Sequence, residues 1–465
     1  MAMSETAEVS EFKPAPTENK MGVMPISRLL ITMSIPMMIS MFVQALYNIV
    51  DSIFVSRLSE NALTAVSLAF PVQNLMIAIG VGTAVGINAL LSRSLGEKNR
   101  ERVNKAAYNG IFLAFVSAVV FALFGLFFAR IFFTAQTNNA EIIGYGCDYL
   151  IICSILSFGA FGQITFERLL QSTGKTFYAM ITQATGAIVN IILDPIMIFG
   201  LFGFPRLEVA GAAIATVIGQ VVAMTLAIIF NIKVNKEVTL KFRDVRPDAE
   251  IIGTILGVGI PTAIMMAITS IMTFGLNKIL LSFTSTATAV FGVYFRLQGF
   301  LFMPIFGLNN GMVPIISYNY GARSRHRIVK TIRLSLIYTL TIMAVGVAIF
   351  QIFPRQLLSF FNASPDMISI GIPALRIISL SFVFAGFCIV SGSVFQALGK
   401  GLPSMLISTA RQLIALLPLA YLMSRLGGLD AIWWSFPMAE TVSVTMTVLF
   451  LRHYYKNEIK PLPEN

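Results

Sequence analysis

Apolar segments long enough to cross a lipid bilayer dominate this chain of 465 residues. A membrane-spanning helix needs roughly 20 predominantly apolar residues. Hydrophobic residues make up 56% of the chain and charged residues only 12%, whereas soluble domains carry about 25% charged residues. Backbone polar groups in lipid must be satisfied within the segment, which a helix achieves alone. The sequence therefore predicts an all-α, polytopic membrane protein with a mean hydropathy of +0.80.

The apolar segments number twelve, which predicts twelve transmembrane helices. Several are longer than a bilayer requires, so we expect tilted or kinked helices. The segments fall at residues 29–54, 62–91, 106–129, 146–168, 177–203, 209–232, 252–283, 287–318, 331–354, 368–395, 403–424 and 429–451.

Basic residues concentrate in alternate connections between these segments. Cytoplasmic loops of membrane proteins carry an excess of Lys and Arg, so these connections are expected to be cytoplasmic, with both termini on the same side. This topology also accounts for the net charge of +11 without a nucleic-acid partner. We expect a multi-pass protein of the plasma membrane of a prokaryote. The basic residues are Arg93, Lys98, Arg100, Arg102 and Lys105, then Lys233, Lys236, Lys241, Arg243 and Arg246, then Arg323, Arg325, Arg327, Lys330 and Arg333.

An internal repeat relates the two halves of the chain at a constant offset of 225 residues. Six helices is an even number, so both halves enter the membrane from the same side and form parallel lobes around a substrate path. The predicted organisation is a disordered cytoplasmic tail (1–24), an N-lobe (25–232), a cytoplasmic linker (233–251), a C-lobe (252–455) and a cytoplasmic C-terminal tail (456–465). Matching pairs include Pro36 and Pro261, Phe70 and Phe295, Gln73 and Gln298, Gly82 and Gly307, and Lys175 and Lys400.

Two carboxylates lie inside apolar segments of the N-lobe, each with an amide nearby. Asn48 and Asp51 are in the first segment, and Asn190 and Asp194 lie four residues apart on one helix face in the fifth. A carboxylate at membrane depth costs at least about 2.5–3.5 kcal/mol, which favours a functional role. Oxygen ligands of this kind suit a hard cation or a carboxyl group that carries a proton. The repeat places leucines at the positions of both carboxylates in the C-lobe, so the lobe fold does not require them.

The C-lobe has intramembrane charges of its own at Arg296, Arg411 and Glu440. One interpretation is a carboxylate that attracts a cationic substrate, with an arginine setting its charge state. The other is a structural salt bridge inside the C-lobe. Glu167 and Arg168, at the end of the fourth segment, are expected at the membrane interface.

Several motifs together make the chain resemble the multidrug and toxic compound extrusion transporters, in their prokaryotic, DinF-like branch. They are QALYNIVDSIFV in the first segment, LLQSTGKTFYAM and NIILDPIMIFG around the fifth, GAAIATVIGQ in the sixth and FQALGKGLPSM in the second half. The resemblance implies cation-coupled export of amphipathic, mostly cationic compounds by alternating access between two lobes. It places the cation site on Asp51, Asn190, Asp194 and Thr216.

Candidate substrate-binding residues follow from the polar and flexible side chains near these charges. The chain has 23 Met and 38 Phe, and thioether and aromatic walls suit a promiscuous apolar pocket. Besides the C-lobe charges, the candidates are Tyr47, Gln73, Gln298, Met266 and Met303.

Neither a catalytic constellation nor a phosphate-binding glycine loop is present in the sequence. We therefore predict a monomeric transporter, not an enzyme, that needs no cofactor and is driven by H⁺ or Na⁺. One alternative is a flippase for lipid-linked or polysaccharide substrates in the same superfamily. The resemblance implies that such flippases often have about fourteen spans, more than the twelve predicted here. Another is an ion channel or a non-transporting receptor.

Overall fold

A computed structural model describes residues 19–240 and 246–464 of the chain, and every regular element in these ranges is helical. Ten helices are long and apolar enough to cross a membrane, and two further pairs each form one bent span. The twelve predicted spans are therefore confirmed. Residues 1–18 of the predicted tail, residues 241–245 of the predicted linker and Asn465 lie outside the described residues.

Among the described residues, the first half of the chain contains eight α-helices and one short 3₁₀ helix, Leu201–Gly203. A short helix, α1, precedes six spans, of which the fourth is made of α5 and α6, bent by 44°. The helices are α1 (Lys20–Val23), α2 (Ile26–Ser56), α3 (Glu60–Gly96), α4 (Arg100–Thr134), α5 (Ala140–Ile155), α6 (Phe158–Ser172), α7 (Thr176–Phe199) and α8 (Glu208–Lys233).

The second half repeats this order of spans. Its fourth span is again a bent pair, α13 and α14, with an angle of 48°. A π-helical segment, Ala410–Leu416, interrupts the fifth span. The helices are α9 (Ala249–Leu281), α10 (Ser285–Gly321), α11 (Arg325–Ile352), α12 (Pro354–Ser359), α13 (Pro365–Ser379), α14 (Phe382–Ala397), α15 (Gly401–Thr409), α16 (Leu417–Leu426), α17 (Gly428–Ile432) and α18 (Ser435–Tyr454).

Each half of the chain has a hydrophobic core of its own. One cluster of buried residues runs from Val55 to Ala213 within the first half, and another runs from Met272 to Ala439 within the second. Two more clusters combine residues from both halves. Such separate cores are what two packed lobes require, because each lobe buries its own apolar surface.

The lobes approach closely along the C-terminal halves of α3 and α10, and we call this half of the molecule the base. A Cβ atom on Gly82 of α3 would lie 2.5 Å from the carbonyl oxygen of Gly259 in α9, and a Cβ on Gly307 of α10 would lie 2.6 Å from the Cα of Met38 in α2. Only glycine permits backbones to approach this closely. The base is therefore sealed by close contacts at Gly82 and Gly307, two positions that are equivalent under the sequence repeat.

Residues 19–24, which we call the N-terminal clasp, bridge the two lobes at the base. The Asn19 amide donates to the carbonyl oxygen of Thr173 (3.1 Å) in the N-lobe. Arg327 of the C-lobe donates from Nη2 to the carbonyl oxygens of Met21 (2.9 Å) and Met24 (2.8 Å). The prediction that residues 1–24 are disordered is thus wrong for 19–24, because polar residues of both lobes hold this backbone in place.

Candidate functional site

The two N-lobe carboxylates lie together, as the sequence predicts. Asp51 of α2 and Asp194 of α7 lie close enough for their carboxyl groups to interact electrostatically, and Asp194 is fully buried. Asn190 lies one turn before Asp194 and connects the pair to α8. Its Nδ2 donates to Asp194 Oδ1 (3.4 Å) and to Thr216 Oγ1 (3.3 Å). Four residues from three helices thus form one polar cluster in the N-lobe.

Three buried oxygen atoms of this cluster have no hydrogen-bond partner. They are Asp51 Oδ1, Asn190 Oδ1 and Asp194 Oδ2. Two ionised carboxylates in contact repel each other, and a buried acceptor without a donor costs about 1–3 kcal/mol. A proton shared by the carboxyl groups, or a hard cation bound by these oxygens, removes both penalties. The donor set therefore fits either H⁺ or Na⁺.

A cavity of about 180 Å³ inside the N-lobe reaches this cluster, and we call it the N-lobe cavity. Tyr47, Asn190 and Thr216 line it, together with Gln44 and Gln183, whose side chains are joined by a hydrogen bond of 3.2 Å. The acid pair lies behind Asn190 and Thr216. A change in the protonation or cation occupancy of the pair can therefore alter the hydrogen bonds of residues that face the cavity.

Asn48 does not join the cluster in this structure. It is exposed, whereas Tyr47, one position earlier, lines the N-lobe cavity. Residues three and four apart are neighbours on a helix surface, so the spacing does not separate Asn48 from Asp51, and it is the exposure of Asn48 that places it outside the cluster.

The C-lobe charges Arg411 and Glu440 form an ion pair. Arg411 Nη1 lies 3.0 Å from Glu440 Oε1, and Glu440 also accepts a hydrogen bond from Ser443. Arg411 projects from the π-helical segment, a geometry that is rare and often found at functional sites. Both charged residues line a C-lobe cavity of about 360 Å³ together with Gln298, Tyr294 and aromatic side chains.

A larger cavity of about 500 Å³, which we call the central cavity, lies between the lobes. Met266, a predicted substrate contact, lines it with Met265 and Phe306. The predicted contacts Gln73, Arg296 and Met303 line none of these three cavities. Arg296 is exposed, and the Gln73 amide instead donates to the Tyr149 hydroxyl (3.0 Å) within the N-lobe.

Glu167 and Arg168 are buried within the protein near the end of α6, and their expected position at the membrane interface stays a prediction. Their side chains are only 7% and 8% exposed. Glu167 lines the N-lobe cavity, and Arg168 lines both this cavity and the central cavity. The signal that could have found them is the spacing of Gln163, Glu167 and Gln171, which puts three polar residues on one face of α6.

Comparisons with known proteins agree with this architecture. The MatE family model matches residues 36–196 and 261–422, and the two matches begin 225 residues apart (261 − 36), the offset of the sequence repeat. Multidrug export protein MepA of Staphylococcus haemolyticus (strain JCSC1435) is 26% identical over 427 residues, covering 92% of this chain and 93% of that protein.

Two further relatives are similar over nearly the whole chain. The FAD transporter of Shewanella oneidensis (strain ATCC 700550 / JCM 31522 / CIP 106686 / LMG 19005 / NCIMB 14063 / MR-1) is 26% identical over 414 residues, covering 89% of this chain and 92% of that protein. A structure of a multidrug resistance MATE family transporter of the MOP superfamily, in an outward-facing conformation, matches with a TM-score of 0.88. It is 26% identical and covers 95% of this chain and 98% of that one.

These matches confirm the resemblance to the multidrug and toxic compound extrusion transporters. Assignment to the DinF-like branch stays a prediction. By sequence, by its twelve helical spans and by structural likeness, the chain belongs to the MatE family of membrane transporters and is not an enzyme.

Proposed function

We propose that this protein is a secondary antiporter of a prokaryotic plasma membrane that exports amphipathic, mostly cationic drugs or toxic metabolites in exchange for H⁺ or Na⁺. The observation that carries the proposal is the cluster of Asp51, Asp194, Asn190 and Thr216, with its three unpartnered oxygens beside the N-lobe cavity. The export activity named for MepA supports the substrate class.

The mechanism follows from the position of this cluster between helices of the N-lobe. When the carboxyl groups are ionised, they attract a cation and leave the oxygens unsatisfied. When a proton or Na⁺ occupies the pair, the negative charge falls by one, the repulsion between the two carboxylates is relieved, and the side chains of α2 and α7 can approach. Exchange of the ion for a cationic substrate would thus be coupled to the packing of α2, which also contacts the C-lobe at Gly307.

We further propose that the base is cytoplasmic, that both termini lie on that side, and that the protein works as a monomer. The basic connections 92–105 and 322–333 follow the ends of α3 and α10, in agreement with the positive-inside rule. With the base sealed, a substrate would reach the cavities from the opposite, outer side. The count of twelve spans favours an antiporter over a flippase. An arrangement of two packed lobes favours alternating access, and therefore saturable exchange of substrate for ion, over conduction of ions through a channel.

Efflux of a fluorescent organic cation from cells tests the proposal. Asp51→Asn and Asp194→Asn should each abolish export driven by an imposed gradient, because the neutral side chain can no longer exchange an ion. The gradient, pH or Na⁺, that drives the wild type identifies the coupling ion. Asp148→Asn, which changes an exposed carboxylate on α5, is the matched control. Export that survives both substitutions in well-expressed variants would refute coupling at the acid pair.

A further inference from the structure

Residues 455–464, which we call the C-terminal latch, fold back onto the base. Arg325, the first residue of α11, holds them by three hydrogen bonds. Its backbone N donates to the carbonyl oxygen of Pro463 (3.2 Å), and its guanidinium donates to Tyr455 Oη (3.2 Å) and Glu464 Oε1 (2.9 Å). Ile459 of the latch is only 1% exposed. The last residues of a domain are usually poorly ordered unless they are tied down, so these contacts make the latch a fixed part of the base.

Glu458 is the residue of the latch that connects it to the rest of the C-lobe. Its Oε1 lies 3.5 Å from Nζ of Lys400, which precedes α15. Its Oε2 accepts a hydrogen bond from the hydroxyl of Tyr320, in the last turn of α10. One carboxylate therefore joins the latch to two other segments of the C-lobe.

Tyr320 extends this arrangement to the N-lobe. The guanidinium carbon of Arg93, in the last turn of α3, lies 4.9 Å from the centroid of the Tyr320 ring. The two helices touch here, because a Cβ on Gly321 of α10 would overlap the carbonyl oxygen of Arg93. A cation over an aromatic ring is attracted to it, and a phenol that donates to a carboxylate is polarised by that bond. Glu458 therefore orients Tyr320 and strengthens its contact with the N-lobe.

The N-lobe has a carboxylate in the corresponding place. Lys175, which the offset of 225 residues relates to Lys400, has its Nζ 3.9 Å from Glu237 Oε1. Glu237 comes four residues after the end of α8 (237 − 233), and Glu458 comes four residues after the end of α18 (458 − 454). Glu237 also accepts from Asn19 Nδ2 (2.9 Å) of the N-terminal clasp, which bridges the lobes. In each lobe, a carboxylate that follows the sixth span thus supports a contact between the lobes.

We propose that the C-terminal latch holds the base closed. Through Glu458 it fixes the Tyr320 ring against Arg93, and loosening of the latch shifts the protein toward a conformation that is open at the base. Coupling free energies are reciprocal, so loss of the contact from the N-lobe side must also loosen the latch. This inference goes beyond the proposed export function and does not depend on which compounds or ions are transported.

The labelling rate of a cysteine at the lobe contact tests the proposal on the purified protein in lipid nanodiscs. Ser34 of α2 is 1% exposed, and its hydroxyl donates to the carbonyl oxygen of Leu308 in α10 (3.4 Å). Labelling of Ser34→Cys by a hydrophilic thiol reagent, measured by mass spectrometry of the peptide that contains residue 34, follows the open fraction when opening is fast. Glu458→Gln should raise this rate about threefold or more, the factor that one cation–π contact provides. Glu250→Gln changes an exposed carboxylate at the start of α9 and is the control.

Arg93→Gln tests the same contact from the other lobe and leaves the latch itself intact. It should raise the labelling rate as Glu458→Gln does, and the double variant should be labelled no faster than either single variant. Hydrogen–deuterium exchange at the amides of residues 456–460 should also be faster in Arg93→Gln. Arg100→Gln, which changes an exposed arginine at the start of α4, should leave this exchange unchanged.

Two results would overturn the proposal. One is an unchanged labelling rate in Glu458→Gln, or effects of the two substitutions that simply multiply in the double variant, because the latch would then stabilise the C-lobe alone. The other is unchanged exchange of residues 456–460 in Arg93→Gln, a measurement that decides the matter even if Glu458→Gln does not fold.

Discussion

The ion pair between Arg411 and Glu440 is the residue-scale feature whose role is most open to test. Glu440 is buried, and the guanidinium of Arg411 lies 3.0 Å away. Removal of one partner of a buried ion pair leaves an uncompensated charge and costs about 3–5 kcal/mol, whereas removal of both is often near neutral. Glu440→Gln should therefore lower the melting temperature of the purified protein, and Arg411→Gln/Glu440→Gln should recover most of the loss.

The melting temperatures of the two single variants and the double variant provide a double-mutant cycle. Recovery in the double variant supports the structural interpretation of the pair. A double variant that is as unstable as the sum of the single variants would contradict it. Export assays on the double variant then measure what the pair contributes to substrate binding apart from stability.

Asp51, Asn190 and Asp194 could be predicted from the sequence because a carboxylate in an apolar span is costly, and spacing alone put Asn190 beside Asp194. Asn48 was chosen by its proximity in sequence to Asp51, and the helix face it occupies points elsewhere. The burial of Arg168 was not predicted, because Gln171 and Ser172 follow it and resemble the polar end of a span. In the folded protein, helices of both lobes cover this region, which only the tertiary structure reveals.

At the scale of elements, the close approach of α3 to α9 and of α10 to α2 predicts that a single methyl group opens the base. A Cβ on Gly82 or Gly307 would overlap backbone atoms rather than a movable side chain. Overpacking of this kind costs about 1–3 kcal/mol. Gly82→Ala and Gly307→Ala should shift the protein away from the closed base and slow export.

The opening can be measured by the labelling rate of a cysteine introduced at Ser34, a buried residue of α2 at the lobe contact. A hydrophilic thiol reagent added from the side of the base should react faster when either alanine is present. Gly253→Ala is the control, since a Cβ at that position has no atom within 4 Å. If the cysteine is labelled at the same rate in the wild type and in the Gly82→Ala, Gly307→Ala and Gly253→Ala variants, the glycines do not seal the base.

The number of spans could be predicted because each apolar segment is long enough to require a bilayer. The ends of the spans were predicted less accurately. The predicted span 106–129 is part of a longer helix, α4, Arg100–Thr134, because the helix continues through polar residues beyond the apolar stretch. The bends in the two fourth spans and the π-helical segment leave no hydropathy signal, because they depend on how neighbouring helices satisfy the freed backbone groups.

At the scale of the whole molecule, the N-terminal clasp joins the lobes through Arg327. This side chain donates to the carbonyl oxygens of Met21 and Met24 and to Asn319 Oδ1 (2.9 Å). Arg327→Gln removes the two bonds to the clasp backbone that a guanidinium fork provides. Amides of residues 20–24 should then exchange with deuterium faster, because the clasp opens more often.

Hydrogen–deuterium exchange measured by mass spectrometry checks this prediction. Arg333→Gln changes an exposed arginine on the same helix, α11, and should leave exchange of the clasp unchanged. If Arg327→Gln also leaves it unchanged, then Asn19 and the buried Met21 hold the clasp without help from α11.

The clasp also constrains the order in which the protein can be completed during synthesis. Arg327, the partner of Met21, is translated 306 residues after it. The N-lobe can insert and pack long before this partner exists. The bonds between the clasp and the C-lobe must therefore wait until the chain has been translated as far as Arg327, and this part of the base forms only after the N-lobe has been made.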